Sequence, residues 1–334
     1  MRTERQGTDR RRFLCISAAA AGLALMPRRA AAAATLHRWD GTALGADASL
    51  RLVHPDAGTA RRLIDLCLAE VARLEAVFSL YRADSALVRL NRDGRLDDPP
   101  ADLVRLLGEA GAYARASGGA FDATVQPLWR LYAEHFARDG ADPAGPPASA
   151  VAAARALVDH SAVQVATDRV RFAHRGMAVT LNGIAQGYIT DRVTEILRRA
   201  GMTDVLVDMG EIRASGRRPD GRPWQIGLRA PVGGGIGTTL ALVDRSVATS
   251  GAEGTRFDPA GRFSHLLDPA SGRAAPRWTQ VTVLAPTATQ ADALSTALSL
   301  LDEPQARRLV DAMPGVGARL TAADGGCLSL GAAA

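Results

Sequence analysis

The sequence predicts an α+β fold with a mixed or antiparallel sheet flanked by helices. Three observations carry this. Stretches with helical spacing bracket runs of short strands and do not alternate with them one for one. Beyond residue 200 the chain is mostly short strands separated by turn residues, the pattern of hairpins. The glycine cluster in that region, PVGGGIG at 231–237, lacks the G-x-G-x-x-G spacing of a doubly wound dinucleotide fold and reads as a loop.

The elements follow in order. Ala48 to Val53 reads as a strand. Thr59 is placed to cap a helix in which Leu63, Leu66, Val71, Leu74 and Phe78 recur at helical spacing. SLYRADSALVRLNRDG, residues 79–94, is polar and turn-rich. Leu103 to Ala116 is a second amphipathic stretch between Pro99-Pro100 and Ser117-Gly118-Gly119. Ala141 to Ala150 is linker-like, and a short helix follows it. Strands are expected at Val163 to Val165, Val170 to Phe172 and Met177 to Leu181. VTLNGIAQGYITDRV then passes through Asn182-Gly183 into a helix running to about Arg199. Further strands are expected at Asp204 to Asp208, Trp224 to Leu228, Thr239 to Val243, Phe263 to Leu267 and Val281 to Leu284. A final helical region starts near Ala288. Thr287 and Gln290 have capping-box spacing there, and Ala291, Leu294, Leu298 and Leu301 form its apolar stripe.

Composition narrows the function. Hydrophobic residues make up 47% of the 334, but aromatic ones only 4%, so the core must be mostly Ala, Leu and Val. Every cation of the 40 Lys+Arg is arginine, which excludes a Schiff-base lysine and the lysine of a Walker A loop. The net charge is +5, yet Arg2, Arg5, Arg10, Arg11, Arg12, Arg28 and Arg29 face only Glu4 and Asp9 in the first 29 residues. The remainder is near neutral, which argues against a nucleic-acid surface. Arg10-Arg11 before Phe13-Leu14, a weakly apolar stretch to Met26 and small residues at 30–34 predict a Tat-type signal over 1–34, hence a periplasmic domain over 35–330. Cys67 lies on an apolar helix face and reads as a small buried hydrophobe, not half of a disulfide with Cys327. With no CxxC and no His/Cys cluster, zinc is not expected.

Several residues can carry chemistry. Asp292 and Thr296 are four apart, so they share one helix face. Small neighbours, Ala293, Ser295 and Ala297, let another backbone come close. A carboxylate, a hydroxyl and nearby carbonyls suit Mg²⁺, which keeps waters and takes substrate phosphate. A solvated Asp beside a Thr bonded to its own helix is the plainer alternative. His265 stands three residues before Asp268 and its turn, where it can serve as a general base or simply as a structural histidine. Phe121 can pack on a ring system and Asp122 can accept hydrogen bonds from one, or they form a turn and a core Phe. In the 179–193 stretch, Gly183 and Gly187 permit the close approach that a Cβ would block.

Taken together, ALGADASLRL, FSLYRADSALVRLN, SGGAFDATVQPL, LNGIAQGYITDR, VLVDMGEIRASG, VATSG, SHLLDPASG and ADALSTAL resemble, in order and spacing, the ApbE family of flavin transferases, from about Trp39 to Leu301. The resemblance implies a T-fold-like architecture. It also implies Mg²⁺-dependent transfer of FMN from FAD to a Thr or Ser hydroxyl of an acceptor protein, with release of AMP. It further implies FAD contacts at Leu44, Tyr81, Ala120, Phe121, Asp122, Thr180, Gln186 and Leu266. Metal ligation is implied at Gly183 (by its carbonyl), Asp292 and Thr296 with Ser295 as helper, and a catalytic base at His265. Where the family begins Met-Gly-Thr this chain has Leu44-Gly45-Ala46, and where the family has an Asp and a Lys it has Thr180 and Gln186. This variant looks like the NosX-like branch linked to nitrous-oxide reductase maturation, whose acceptor is a membrane-bound regulator-like protein. Metal-dependent FAD hydrolysis and a non-catalytic flavin-binding chaperone or carrier are the competing functions.

Overall fold

The computed structural model describes residues 35–230, 235–251, 254–274 and 276–332. The expected signal over 1–34 and residues 231–234 of the PVGGGIG loop lie outside them. Among the described residues no helix is long and apolar enough to cross a membrane.

β1 (Thr35–Ala43) and β2 (Ala46–His54) form a hairpin. Its two-residue loop, Leu44-Gly45, has φ of 48° and 75°, the positive pair that a tight right-twisted hairpin needs. β1 escapes a reading by hydrophobic alternation because it is an edge strand with mostly exposed side chains. α1 (Ala57–Phe78) is capped by Asp56, whose carboxylate accepts the Thr59 N–H at 2.7 Å, so Thr59 is not the cap. The buried face is Ile64, Cys67, Val71, Leu74, Val77 and Phe78, while Leu66 points outward. α2 (Ala86–Asp93) lies inside the polar 79–94 stretch. Ser85 caps it, Gly94 closes it in the left-handed region, and it buries Leu87 and Leu90. β3 (Arg95–Asp97) precedes α3 (Ala101–Ala116).

A 3-10 turn at Ala123–Val125, capped by Asp122, feeds α4 (Gln126–Phe136), an element the hydrophobic pattern did not announce. α5 (Ala148–Arg155), β4 (Val163–Val165) and β5 (Arg169–Phe172) follow, and the small sheet has the order β3-β5-β4. Met177 to Leu181 is not a strand. An asparagine side chain takes the place of a partner strand: Asn91 donates to the Val179 carbonyl at 2.8 Å and accepts its N–H at 2.7 Å. α6 (Ala185–Arg199) then leads to β6 (Val205–Asp208) and β7 (Ile212–Ser215), the hairpin β8 (Trp224–Arg229) and β9 (Ile236–Leu242), and β10 (Ser246–Gly251). β11 (Gln280–Ala285), α7 (Ala288–Leu298), α8 (Glu303–Asp311), β12 (Gly317–Thr321) and β13 (Cys327–Gly331) complete the chain. Cys67 is buried and Cys327 exposed, and both are free thiols.

The main sheet is eight-stranded, in the order β1-β2-β6-β7-β10-β11-β12-β13, with every pairing antiparallel. The fold is α+β, and of the two sheet types expected it is the antiparallel one. Period-2 alternation separates two cores. Leu50, Leu52, Val205, Val207, Val281 and Val283 face the helices, whereas Leu206, Ile212, Ala214, Val247 and Leu284 face the β8–β9 hairpin. The helix-facing core is the larger, and it places α6 and α7 side by side over the sheet.

At the end of β6, burial pushes the Asp208 carboxyl up to about 7, against the opposing pull of the Gly210 N–H and Arg51. The native chain therefore keeps a proton that the unfolded chain has already released. Stability falls as pH rises from about 4 through about 7. Asp208→Asn is expected to flatten that fall and to raise Tm at neutral pH, as thermal melts across this window will show.

Candidate active site

The site starts from the bend at 180–184. The Thr180 N–H donates to the Ala123 carbonyl at 2.7 Å, and the Thr180 hydroxyl accepts the Asn182 N–H at 3.2 Å. With Asn91 holding Val179, the bend is pinned on both sides before α6 begins. At Gly183 there is no room for a side chain. A Cβ would lie 2.8 Å from Thr296 Oγ1, 3.3 Å from its methyl and 3.5 Å from the Phe121 ring. Three segments far apart in sequence thus meet at one point, around Gly183, Thr296 and Phe121.

α7 brings the oxygen donors. Thr287 caps it by accepting the Gln290 N–H, but the Gln290 side chain goes to Met313, so the reciprocal half of the expected capping box is absent. The box forms at α8 instead, between Asp302 and Gln305. The expected stripe of Ala291, Leu294, Leu298 and Leu301 is buried, and so are Asp292 and Ser295 on the other side. Asp292 is only 3% exposed, which excludes the solvated alternative. Its Oδ2 accepts the Gly187 N–H at 3.0 Å. The Ser295 hydroxyl donates to the Asp292 carbonyl at 2.9 Å, so at 2.7 Å it must accept from Ser250 on β10.

These groups fit a hard divalent cation. A buried carboxylate favours a positive partner. Its same-face neighbour Thr296 and the Gly183 backbone add neutral oxygens where a side chain would not fit. Among the described residues no group of three or more His, Cys, Asp or Glu is placed to hold a metal ion by itself. The donor set is therefore one carboxylate with neutral oxygens, which suits Mg²⁺ completed by water and phosphate better than a fully protein-caged ion.

Each of the other expected residues has its own local setting. Phe121 is buried edge-on to Tyr113, ring centroids 6.5 Å apart, with Ala120 half-buried beside it. Asp122 directs its carboxylate inward, to the Thr124 N–H and hydroxyl (2.8 and 2.6 Å) and to the His160 N–H and Nδ1 (3.2 and 3.3 Å). It acts in the fold as the cap of the 3-10 turn, while the Phe121 N–H donates to the Ser117 hydroxyl at 3.0 Å. The Gln186 amide lies over the loop after β6, within 2.5 Å of where a Gly210 Cβ would stand. Leu44 sits in the β1–β2 turn, its N–H held by Glu75 at 2.6 Å, and Tyr81 stands 70% exposed on the loop after α1.

Phe263 to Leu267 is a loop with single bridges, Arg256 to Ser264 and Leu267 to Ala274, not the expected strand. Asp258 enforces this by accepting the Gly261 N–H on its carbonyl and the Phe263 N–H on its carboxylate, which closes a tight turn. Within it His265 donates its N–H to the Thr255 carbonyl at 2.9 Å and sets Nδ1 against the backbone of the same residue, 3.2 Å from N and 3.1 Å from O. For Nε2 to accept a proton, Nδ1–H must be the donor to the Thr255 carbonyl. Leu266 is buried beside it.

Sequence reasoning missed Asn91, Asp191 and Ser250. Asn91 and Ser250 leave no periodic trace, whereas Asp191 is a carboxylate inside a helix that is otherwise buried around it at Ile189, Thr190 and Val193.

The ApbE family model matches residues 44–320. An FAD:protein FMN transferase of Haemophilus influenzae is 31% identical over 251 residues, 71% of this chain and 72% of the relative. One from Treponema pallidum is 32% identical over 271 residues, covering 73% and 72%. Among solved structures, the apo flavinyl transferase ApbE of Pseudomonas stutzeri superposes with TM-score 0.75 at 28% identity, over 89% of this chain and 96% of that one. The ApbE protein of Thermotoga maritima gives 0.77 at 27% identity, over 89% and 97%.

Proposed function

The chain belongs to the ApbE family, whose curated relatives are FAD:protein FMN transferases, and we propose that it moves FMN from FAD to a Thr or Ser hydroxyl of an acceptor protein with the help of Mg²⁺. The carrying observation is the meeting of Gly183 with Thr296, on the helix that holds the buried Asp292.

Asp292, Thr296 and the Gly183 carbonyl would hold the cation, with Ser295 fixing the Asp292 backbone. When bound, Mg²⁺ neutralises charge on the pyrophosphate of FAD. The protein's own task is positioning. Asn91 and Ala123 fix the bend, Phe121 offers an apolar wall to the flavin nucleotide, and Ala120, Leu44, Tyr81 and Leu266 give further contacts to FAD. Thr180 and Gln186 replace an acid and a base of the family by two neutral hydrogen-bonding groups, so together they leave the local charge unaltered. His265, with Nδ1 against Thr255, takes the acceptor's hydroxyl proton at Nε2. The acceptor oxygen then bonds to the FMN phosphorus as the pyrophosphate bond breaks, and AMP leaves. The N-terminal arginine pair and small-residue stretch support a periplasmic setting and an exported acceptor, for which a membrane-bound regulator-like protein of nitrous-oxide respiration is our candidate.

Incubating the protein with FAD, Mg²⁺ and acceptor should add the mass of FMN to the acceptor and leave covalent flavin fluorescence on a denaturing gel. AMP release without acceptor labelling would point to a pyrophosphatase, and retention of intact FAD to a carrier. In the same assay His265→Ala should slow transfer about 10² to 10⁴-fold while sparing FAD affinity. Unchanged turnover removes His265 from the base role.

A further inference from the structure

The two helices at the site hold each other by their N-terminal amides. α6 gives the Gly187 N–H to Asp292 of α7 at 3.0 Å. In return Asp191 of α6, one turn beyond Gly187, accepts the Ala288 N–H at 2.9 Å, the Thr289 N–H at 2.9 Å and the Thr289 hydroxyl at 2.6 Å. Those amides belong to the first turn of α7 and have no partner within their own helix. A carboxylate there also meets the positive end of the helix dipole. Arg213 on β7 pairs with Asp191 and fixes it from the sheet side. The backbones almost touch, since a Cβ on Gly187 would come within 2.3 Å of the Ala288 carbonyl oxygen.

From this geometry we infer that Asp191 is a positioning residue for the cation. It fixes how far α7 lies along α6, and so the gap between Asp292 and Thr296 on one helix and Gly183 just ahead of the other. The inference rests on the proposed Mg²⁺ site. Magnitudes say why one contact matters. Mg²⁺ takes oxygen ligands at about 2.0–2.1 Å in near-ideal octahedral geometry, whereas Ca²⁺ accepts about 2.3–2.6 Å and looser arrangements. A slip of α7 by a fraction of an ångström falls outside the first tolerance and inside the second. Loss of Asp191 should therefore weaken Mg²⁺ more than Ca²⁺. An outer support of this kind typically changes metal affinity about 10 to 100-fold.

The test uses the full chain loaded with FAD, titrated with Mg²⁺ and separately with Ca²⁺ by calorimetry, alongside the Mg²⁺ dependence of transfer. Asp191→Asn should raise both the Mg²⁺ dissociation constant and the Mg²⁺ midpoint of transfer about tenfold. Ca²⁺ binding should change by less, and FAD affinity should hold. Should Asp191→Asn prove unfolded, Thr289→Val, which deletes only the hydroxyl contact, should shift the Mg²⁺ midpoint about two- to threefold the same way. A lowered Tm with an unmoved Mg²⁺ midpoint, in whichever variant folds, overturns the inference and leaves the cation site standing. If Asp292→Asn binds Mg²⁺ as well as the unaltered protein, the cation site itself is wrong and the inference falls with it.

Discussion

Asp292→Ala is expected to reduce FMN transfer on the order of 10³-fold or more, because it removes the one carboxylate of the proposed cation site. The same change strips the Gly187 N–H of its acceptor. An unsatisfied buried donor costs about 1–3 kcal/mol, so some stability will go too. Asp292→Asn separates the effects, since its amide oxygen still accepts from Gly187 while the charge is gone. Rates read from covalent flavin fluorescence, paired with thermal melts, should show Asp292→Asn nearly as inactive as Asp292→Ala but closer to the unaltered protein in Tm. Full transfer by Asp292→Ala in the presence of Mg²⁺ removes the proposed mechanism.

Gly187→Ala should be the most destabilising single methyl in the site. The atom it would strike, 2.3 Å away, is a backbone carbonyl oxygen of Ala288, with the Thr289 Cα at 2.8 Å. Neither can rotate aside, so α6 and α7 must separate. Overpacking of this kind costs about 3 kcal/mol, which for a domain of this size lowers Tm by roughly 5 °C. Transfer should fall as well, because Asp292 is bonded to the residue that moves. A Tm within about a degree of the unaltered protein would show that the two helices are not locked as described.

Much of this centre was legible from residue types and spacing. Asp292 and Thr296, four apart amid Ala and Ser, marked a helix face that a second backbone could approach, and the glycines at 183 and 187 marked the backbone that approaches it. The ends of α3, α6 and β11 also followed from periodicity within a few residues. What escaped did so for physical reasons. β1 lies at an edge with little to bury, so alternation is faint. α7 is buried nearly all round, yet its small side chains mimic a helix with one weak apolar stripe. α2 buries only a few residues, and its capping Ser85 and Gly94 read as turn formers. Asn91, Asp191 and Ser250 work through long-range hydrogen bonds, and no local pattern records a partner that is 45 to 98 residues away. The loop at His265 reads as a strand because Phe263 and Leu267 are apolar for reasons of packing against α4, not of pairing.

Gly183 and Thr296 are more than a hundred residues apart along the chain, with four strands of the main sheet between them. Such contacts close late in folding, since the entropy of the intervening loop must be overcome first. A denatured chain therefore offers a divalent ion no organised pocket. Whatever free energy an ion at the proposed site contributes belongs to the finished molecule alone, and the melting temperature should climb with the logarithm of Mg²⁺ concentration once the dissociation constant is passed.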